Sequence, residues 1–250
     1  MNEDEPDPIA LIIPMEEEAS SLVERYFHSP PASQLGSDVF EGTIGNQPII
    51  LVRCGIGKVN ASSAAATAIL GWSPSAILVS GVAGALDASL RTGDIVVSTG
   101  ALDHHLDLTP FIRRPGCLPG MASPVLPASL PLVESAVQAA RTAASRTSWQ
   151  SGSDVAVHTG VFATGDVLVS SKALKTSITK RFPEAMAVDM ETAAVAQVAL
   201  SAAIPWVCAR VISDLADESF DPREVLSYAA SEAADVIAEL LVELANAAPD

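Results

Sequence analysis

Basic residues, cysteines and long apolar runs are all scarce in this sequence of 250 residues. It has 14 lysines and arginines against 30 acidic residues, which gives a formal net charge of -16. Such a charge argues against binding to the phosphate backbone of nucleic acids, because the summed field repels polyanions. The cysteines number 3, and two of them lie in apolar, strand-like runs. We interpret them as reduced thiols, which indicates a reducing compartment and predicts a cytoplasmic protein.

No segment predicts export or contact with a membrane. The longest apolar runs are broken by glycine, proline or charge well short of the ~20 residues that a bilayer requires. The first residues are acidic and contain proline, whereas an export signal begins with basic residues. We expect residues 1–7 to form a disordered tail and residues 8–250 to form a single domain.

Predicted strands and helices alternate along the chain, which indicates an α/β fold. Apolar runs predict strands over residues 9–13, 41–44, 48–54, 76–80, 94–98, 155–159, 185–188 and 206–212. Helical patterns cover residues 15–25, 60–70, 130–145 and 222–246, and a tight loop is predicted at 81–84. Several of the strands are continuously apolar rather than alternating, so we expect a sheet that is covered on both faces.

Three familiar functional motifs are incomplete. Residues 55–58 lead into a helix like a phosphate-binding loop, but the glycine expected earlier in that loop is Val52. His104 and His105 have no further clustered ligands, whereas metal sites need about three or four. No Gly-x-Ser-x-Gly elbow occurs, and no cysteine stands near a plausible histidine partner. We therefore predict no metal, no cofactor and no covalent nucleophile.

Acidic residues stand at the ends of three predicted strands. Glu18 follows the first strand, Glu191 follows residues 185–188 and opens a helical stretch, and Asp214 follows residues 206–212. Glu191 and Asp214 each also suit a simpler role, in the first turn or at the cap of a helix. In an open α/β sheet, however, such positions line the ligand site. Three converging acids could protonate a leaving group, activate water and hold sugar hydroxyls around an oxocarbenium-like transition state.

The sequence also resembles a known family over almost its whole length, apart from the N-terminal tail and residues 121–155. The matching segments occur in family order: IIPMEEE (12–18), CGIGKV (54–59), SGVAGAL (80–86), GDIVVS (93–98), DLTPF (107–111), LPG (118–120), TGD (164–166), VDME (188–191) and RVISDLAD (210–217). Together they are similar to those of the nucleoside phosphorylase/hydrolase superfamily, and most closely to those of the 5′-methylthioadenosine/S-adenosylhomocysteine nucleosidases. The resemblance implies a three-layer α/β/α sandwich with a mixed central sheet, assembled as a homodimer.

The resemblance further implies roles for individual residues. The glutamate that matches Glu18 acts on the attacking water, and the aspartate that matches Asp214 donates a proton so that adenine leaves neutral. Met190 and Glu191 match a pair that grips the ribose, and Arg210 matches an arginine that orders the water and that glutamate. Other matches to substrate-binding positions are Ile56, Ala83, Gly84, Leu168 and Val169. Matches to positions that reach the neighbouring subunit's 5′ pocket are Phe111 and Pro119.

Water is predicted to be the nucleophile rather than phosphate. Related phosphorylases carry one arginine just before the glycine-rich segment and another after the first strand, and arginine is the favoured partner of such oxyanions. The corresponding regions here read LVS (78–80) and PMEEE (14–18). Because the glutamates would repel phosphate, hydrolysis is favoured over phosphorolysis.

Three departures from the family pattern leave the exact nucleoside open. Val82 stands where a small hydroxyl residue is common, Leu168 replaces a phenylalanine that stacks on the base, and Asp189 is shorter than the usual glutamate. The favoured interpretation is a nucleosidase for methylthioadenosine and adenosylhomocysteine. The alternatives are a futalosine or aminodeoxyfutalosine hydrolase, a purine nucleoside phosphorylase, and a nucleoside-binding protein without activity. A binding protein would be expected to lose its acids first, and all of them are present.

Overall fold

The structure is a computed structural model that describes residues 6–109, 111–112, 114–146, 155–228 and 234–247. Its strands are β1 (Ile9–Ile13), β2 (Ala32–Gln34), β3 (Ser37–Ile44), β4 (Gln47–Arg53), β5 (Ala76–Ala85), β6 (Ile95–Asp103), β7 (Leu126–Pro127), β8 (Val157–Thr164), β9 (Ala185–Asp189) and β10 (Trp206–Asp214). Its helices are α1 (Glu16–Tyr26), α2 (Lys58–Trp72), α3 (Leu130–Arg146), α4 (Lys172–Arg181), α5 (Thr192–Ser201), α6 (Pro222–Tyr228) and α7 (Ala234–Ala247).

All the strands of the described residues belong to one mixed sheet. One arm runs in the order β2, β3, β4, β1, β5, with β1 parallel to both β4 and β5. At β5 the sheet closes on itself, because β5 pairs with β10 and β9, and the path continues through β8 and β6 back to β10. Helices lie on both sides of the sheet, so the predicted α/β/α fold with a mixed sheet is confirmed.

Burial on both faces explains the apolar strands. Every residue of β1 is buried, as expected for a central parallel strand covered on both sides. On one side α2 packs against α5, and the buried positions of α2 are all alanines (Ala61, Ala64, Ala65 and Ala68). Small side chains let the two helices approach each other closely. On the other side α1 and α3 both pack on α7.

Several predicted boundaries differ from the structure, and the strands predicted at 41–44 and 94–98 are longer, at Ser37–Ile44 and Ile95–Asp103. The predicted loop at 81–84 is wrong, because these residues continue β5, where Gly81 and Ala83 pair with β10 and Gly84 pairs with β9. The predicted strand at 206–212 extends to Asp214, and the one at 155–159 lies instead at Val157–Thr164. The predicted helix at 222–246 corresponds to α6 and α7, and residues 229–233 between them lie outside the described residues, as do residues 1–5 of the predicted tail.

Within the described ranges, no helix is long and apolar enough to cross a membrane.

Candidate active site

A cavity of about 250 Å³ opens where the carboxyl ends of β1, β5, β9 and β10 come together. All the residues predicted to act in catalysis or substrate binding line it: Glu18, Ile56, Ala83, Gly84, Leu168, Val169, Met190, Glu191, Arg210 and Asp214. The three acids that are far apart in sequence therefore meet in one place. Phe111 and Pro119 do not line this cavity, and the Phe111 side chain is exposed.

Glu18 is held by two backbone amides. Its carboxylate lies in the first turn of α1, where Oε2 accepts a hydrogen bond from the N–H of Met15 at 2.9 Å. Oε1 accepts a second from the N–H of Val82, on β5, at 2.7 Å. The residue is buried, and this desolvation raises its pKa to about 7, although the Arg210 charge opposes the shift. Glu18 can therefore exchange a proton near neutral pH.

This raised pKa predicts a pH-dependent stability. Protonated Glu18 favours the folded state, so its contribution is fully present below pH 4.5 and is lost as the pH rises through about 7. Each pKa unit corresponds to about 1.4 kcal/mol, so wild type should lose roughly 3 kcal/mol relative to Glu18→Gln across this window. Urea unfolding of both proteins at several pH values measures the difference. The control is Glu17→Gln, in the same helical turn. If the free energies of unfolding of wild type and E18Q changed in parallel with pH, the prediction would be contradicted.

Glu191 occupies the N-cap position of α5 but does not cap the helix with its side chain. Instead, Oε1 accepts a hydrogen bond from the N–H of Gly57 at 2.9 Å, and Oε2 lies 3.0 Å from Nη2 of Arg210. Burial raises the pKa of Glu191, and the Arg210 charge opposes that shift. The simpler interpretation of Glu191 as a helix-start acid therefore does not account for where its carboxylate lies.

Arg210 is the charged centre of the site. It lies on β10 and is almost completely buried, with its Nη1 donating to the backbone oxygen of Val82 at 2.9 Å. Its guanidinium also forms ion pairs with Glu191 and with Asp189, whose Oδ2 is 3.0 Å from Nε. The contact to Asp189 is an ion pair rather than an aligned hydrogen bond. A buried arginine requires such partners, because an unpaired charge in the interior is costly.

Gly81 makes this arrangement possible. Its φ is +137°, a backbone conformation that residues with a side chain rarely adopt. A Cβ at this position would lie 2.5 Å from Glu18 Oε1 and 2.9 Å from Arg210 Nη1. The glycine therefore allows β5 to pass directly beside the buried acid and the arginine.

Asp214 is the last residue of β10 and, like Glu18, lines the cavity. Its Oδ2 accepts a hydrogen bond from the Ser213 hydroxyl at 2.8 Å, and its Oδ1 accepts one from the N–H of Ala216 at 2.8 Å. The second bond is a local turn contact, as the simpler capping interpretation expects. The same side chain nevertheless lines the cavity, and Gly84 leaves room for it, since a Cβ there would lie 3.2 Å from Oδ1.

Sequence reasoning missed part of the cavity wall. The α6 region and the strand ends contribute lining residues that were not predicted: Pro14, Met15, Val82, Val167, Val188, Asp189, Ser213, Phe220, Pro222, Val225 and Leu226. Most are apolar and carry no chemical signal in the sequence. Asp189 had a detectable signal, because an arginine within an apolar strand needs acidic partners and Asp189 stands two residues before Glu191.

The histidine pair lies away from this cavity. His104 is buried, and its ring edge contacts the ring of His105, with 4.5 Å between their centroids. Burial lowers the pKa of His104 to about 4, so it is neutral near pH 7. His105 accepts a hydrogen bond from the N–H of Asp166 at 3.2 Å. In the described part of the chain, no group of three or more His, Cys, Asp or Glu side chains is placed to hold a metal ion.

Comparison with known proteins identifies the family. A family model described as the phosphorylase superfamily matches residues 8–245. The chain belongs to this superfamily. A curated 5′-methylthioadenosine/S-adenosylhomocysteine nucleosidase of Anoxybacillus flavithermus is 32% identical over 238 residues, which cover 94% of this chain and 98% of that protein. The resemblance seen in the sequence is thereby confirmed.

Solved structures of the phosphorylase superfamily show the same fold. The nucleosidase of Neisseria meningitidis in complex with methylthio-immucillin-A is 33% identical, with a TM-score of 0.84 over 94% of this chain and 99% of that one. Futalosine hydrolase of Helicobacter pylori is 28% identical, with a TM-score of 0.83 over 96% of this chain and 97% of that one. Similarity of the fold alone therefore does not separate these two activities.

The structure shows what two of the departures from the family pattern change in this superfamily member. Val82 supplies no hydroxyl, but its backbone N–H holds Glu18 and its backbone oxygen holds Arg210. Leu168 lines the cavity and its side chain is half exposed, so it presents an aliphatic surface to the cavity. Both changes leave the acids and the arginine in place.

Proposed function

We propose that this protein hydrolyses the N-glycosidic bond of 5′-modified adenine nucleosides such as methylthioadenosine and adenosylhomocysteine, with adenine and a modified ribose as products. The convergence of Glu18, Glu191 and Asp214 on one cavity carries the proposal. A glycosidic bond breaks through an oxocarbenium-like transition state, which needs help at both the sugar and the leaving group. The curated relative named above is described as a nucleosidase for these two substrates.

The acids suit three different tasks. Glu18, with its pKa raised to about 7, accepts a proton from the attacking water. Glu191, fixed by Gly57 and Arg210, accepts hydrogen bonds from the ribose hydroxyls. Asp214 donates a proton to the purine, because an adenine anion is a poor leaving group. The surrounding negative charge also stabilises the positive charge that develops on the sugar.

Hydrolysis is favoured over phosphorolysis by the absence of an available cation. Of the described residues that line the cavity, Arg210 alone is cationic, and it is engaged by Asp189, Glu191 and the Val82 backbone. A phosphate nucleophile would need cationic partners of its own. Water needs only a base, and Glu18 provides one.

One incubation series tests the function. Purified protein is mixed with methylthioadenosine, adenosylhomocysteine, aminodeoxyfutalosine or inosine, with and without phosphate, and the released base and sugar are identified by chromatography. We expect adenine and a free modified ribose, at the same rate without phosphate. A strict phosphate requirement would contradict hydrolysis. Release from aminodeoxyfutalosine alone would favour the futalosine-type activity that one structural neighbour carries, and binding without products would favour a nucleoside-binding protein.

We also propose a homodimer located in the cytoplasm. Three apolar side chains point to a covering partner, since Val59 and Leu70 on α2 are 81% and 86% exposed and Phe111 is 90% exposed. Phe111 and Pro119 would then reach the partner's cavity, as the family resemblance implies. All three cysteines are buried free thiols, which supports a reducing compartment.

A further inference from the structure

Asp189 is a buried side chain at the candidate active site whose two carboxylate oxygens both contact protein groups. It is the last residue of β9, and its side chain is 1% exposed. Oδ1 accepts a hydrogen bond from the Thr164 hydroxyl at 2.6 Å, and the Thr192 hydroxyl donates to Oδ2. The backbone N–H of Thr192 lies 3.2 Å from Oδ2, and Arg210 Nε lies 3.0 Å from the same oxygen. Both oxygens are therefore occupied by protein groups.

These contacts leave Asp189 no free acceptor for substrate but connect it to both catalytic glutamates. Arg210 stands between Asp189 and Glu191, so the two carboxylates hold its guanidinium from two directions. The same guanidinium donates to the Val82 backbone oxygen, and the Val82 N–H holds Glu18. Displacement of Arg210 would therefore move Glu191, which binds the ribose, and also the Val82 backbone that holds Glu18 in place.

The threonines determine which acid fits at this position. Thr164 is itself fixed, because its hydroxyl accepts a hydrogen bond from the N–H of Ala193 at 2.9 Å. The Thr192 hydroxyl lies between Asp189 and the Cys208 sulfur, 3.3 Å from the latter, in fully buried surroundings. One more methylene at position 189 would overpack this space, since buried side chains tolerate little added volume. The aspartate at position 189 therefore fits the space that the Thr192 hydroxyl leaves.

We propose that Asp189 is a positioning residue for the hydrolytic reaction: it keeps the Arg210 guanidinium in contact with Glu191 and with the Val82 backbone. Thr192 adapts the space around position 189 to aspartate rather than glutamate. The inference rests on the proposed function. Asp189 does not touch the reacting atoms in this account. It acts through the guanidinium, whose misplacement by about 1 Å can cost on the order of 100-fold in rate.

Four variants test the proposal by steady-state kinetics with methylthioadenosine: Asp189→Asn, Asp189→Glu, Thr192→Ala and the double variant D189E/T192A. D189N is expected to lower kcat about 100-fold, because asparagine cannot pair with the guanidinium charge. KM should rise by a smaller factor, since the ribose-binding Glu191 shifts with the guanidinium but the apolar wall at Leu168, Phe220 and Leu226 is untouched. D189E alone is expected to be impaired, and the double variant should recover to within about threefold of T192A, because the removed hydroxyl makes room for the longer acid.

A buried aspartate elsewhere separates positioning from stability. Asp94 is also buried and accepts hydrogen bonds from the N–H groups of Arg91 and Ala156, but it does not line the cavity. Asp94→Asn should lower the unfolding midpoint without lowering the kcat of the folded fraction. The proposal is overturned if D189N keeps kcat within threefold of wild type, if D94N loses as much kcat, or if D189E/T192A shows no recovery. Wild type that turns over no nucleoside would overturn the proposed function and this inference with it.

Discussion

Asp214→Asn is expected to reduce kcat for adenine release by about 10²–10⁴-fold, which is the usual contribution of a positioned general acid. The carboxyl group can give a proton to the departing base, whereas an amide cannot. The fold should survive, because an asparagine oxygen can still accept from the Ala216 N–H. The Ser213 hydroxyl lies 3.4 Å from the Ala83 backbone oxygen and can turn to donate there. Single-turnover release of adenine from methylthioadenosine, followed by chromatography, measures the loss.

A neighbouring aspartate provides the matched control for this variant. Asp217 lies three residues further on, bonds to Ser219 and does not line the cavity. Asp217→Asn should therefore turn over at a rate close to that of wild type. If D214N stayed within a few-fold of wild type, Asp214 would have no place in the mechanism.

Arg210→Met is expected to destabilise the protein by about 3–5 kcal/mol, the usual cost of removing one partner from a buried ion pair. Methionine keeps much of the aliphatic volume but leaves Asp189 and Glu191 buried without their cation. The burial that already raises the pKa of Glu191 would then act without the opposing charge, so this pKa would rise further. Urea unfolding at neutral pH measures the change in the free energy of unfolding.

A second arginine shows how much of this effect depends on burial. Arg53 pairs with Asp38 at 2.5 Å, but the two side chains are 23% and 37% exposed. Arg53→Met should cost no more than about 1 kcal/mol, because solvent screens such pairs. Equal losses for R210M and R53M would mean that the buried cluster contributes no more than an ordinary surface pair.

The strand interiors and the helix starts could be predicted from local patterns. A continuous apolar run such as Ile9–Ile13 indicates a strand covered on both faces, and the structure buries every residue of it. The three glutamates at 16–18 indicate a helix start, and α1 begins there. The segment at 81–84 was misjudged because two glycines in four residues are typical of a turn. Here Gly81 lets β5 pass beside Glu18 and Arg210, and Gly84 leaves room for Asp214, while the strand pairs with β10.

The candidate site was predicted only as far as its residues carry chemistry. Acids and an arginine at strand ends are visible in the sequence, and the structure brings Glu18, Glu191, Arg210 and Asp214 to one cavity. The apolar residues that α6 contributes to the cavity wall were not predictable. An apolar residue such as Val225 fits the lining of a cavity and the hydrophobic core equally well, so its type does not distinguish the two. The role of Val82 was hidden for another reason, since it acts through its backbone.

The sequence by itself determined the fold class, the family and the identity of the groups that carry charge. The fold class follows from periodicity and the charged groups follow from residue type, which are local properties of the chain, and the family follows from matching segments that occur in family order. Only the tertiary structure decided that Arg210 is shared between Asp189 and Glu191 and that Glu18 has a pKa of about 7. Desolvation and distance control both results, and both arise only on folding. Glu18 and Arg210, for example, are nearly two hundred residues apart in the sequence.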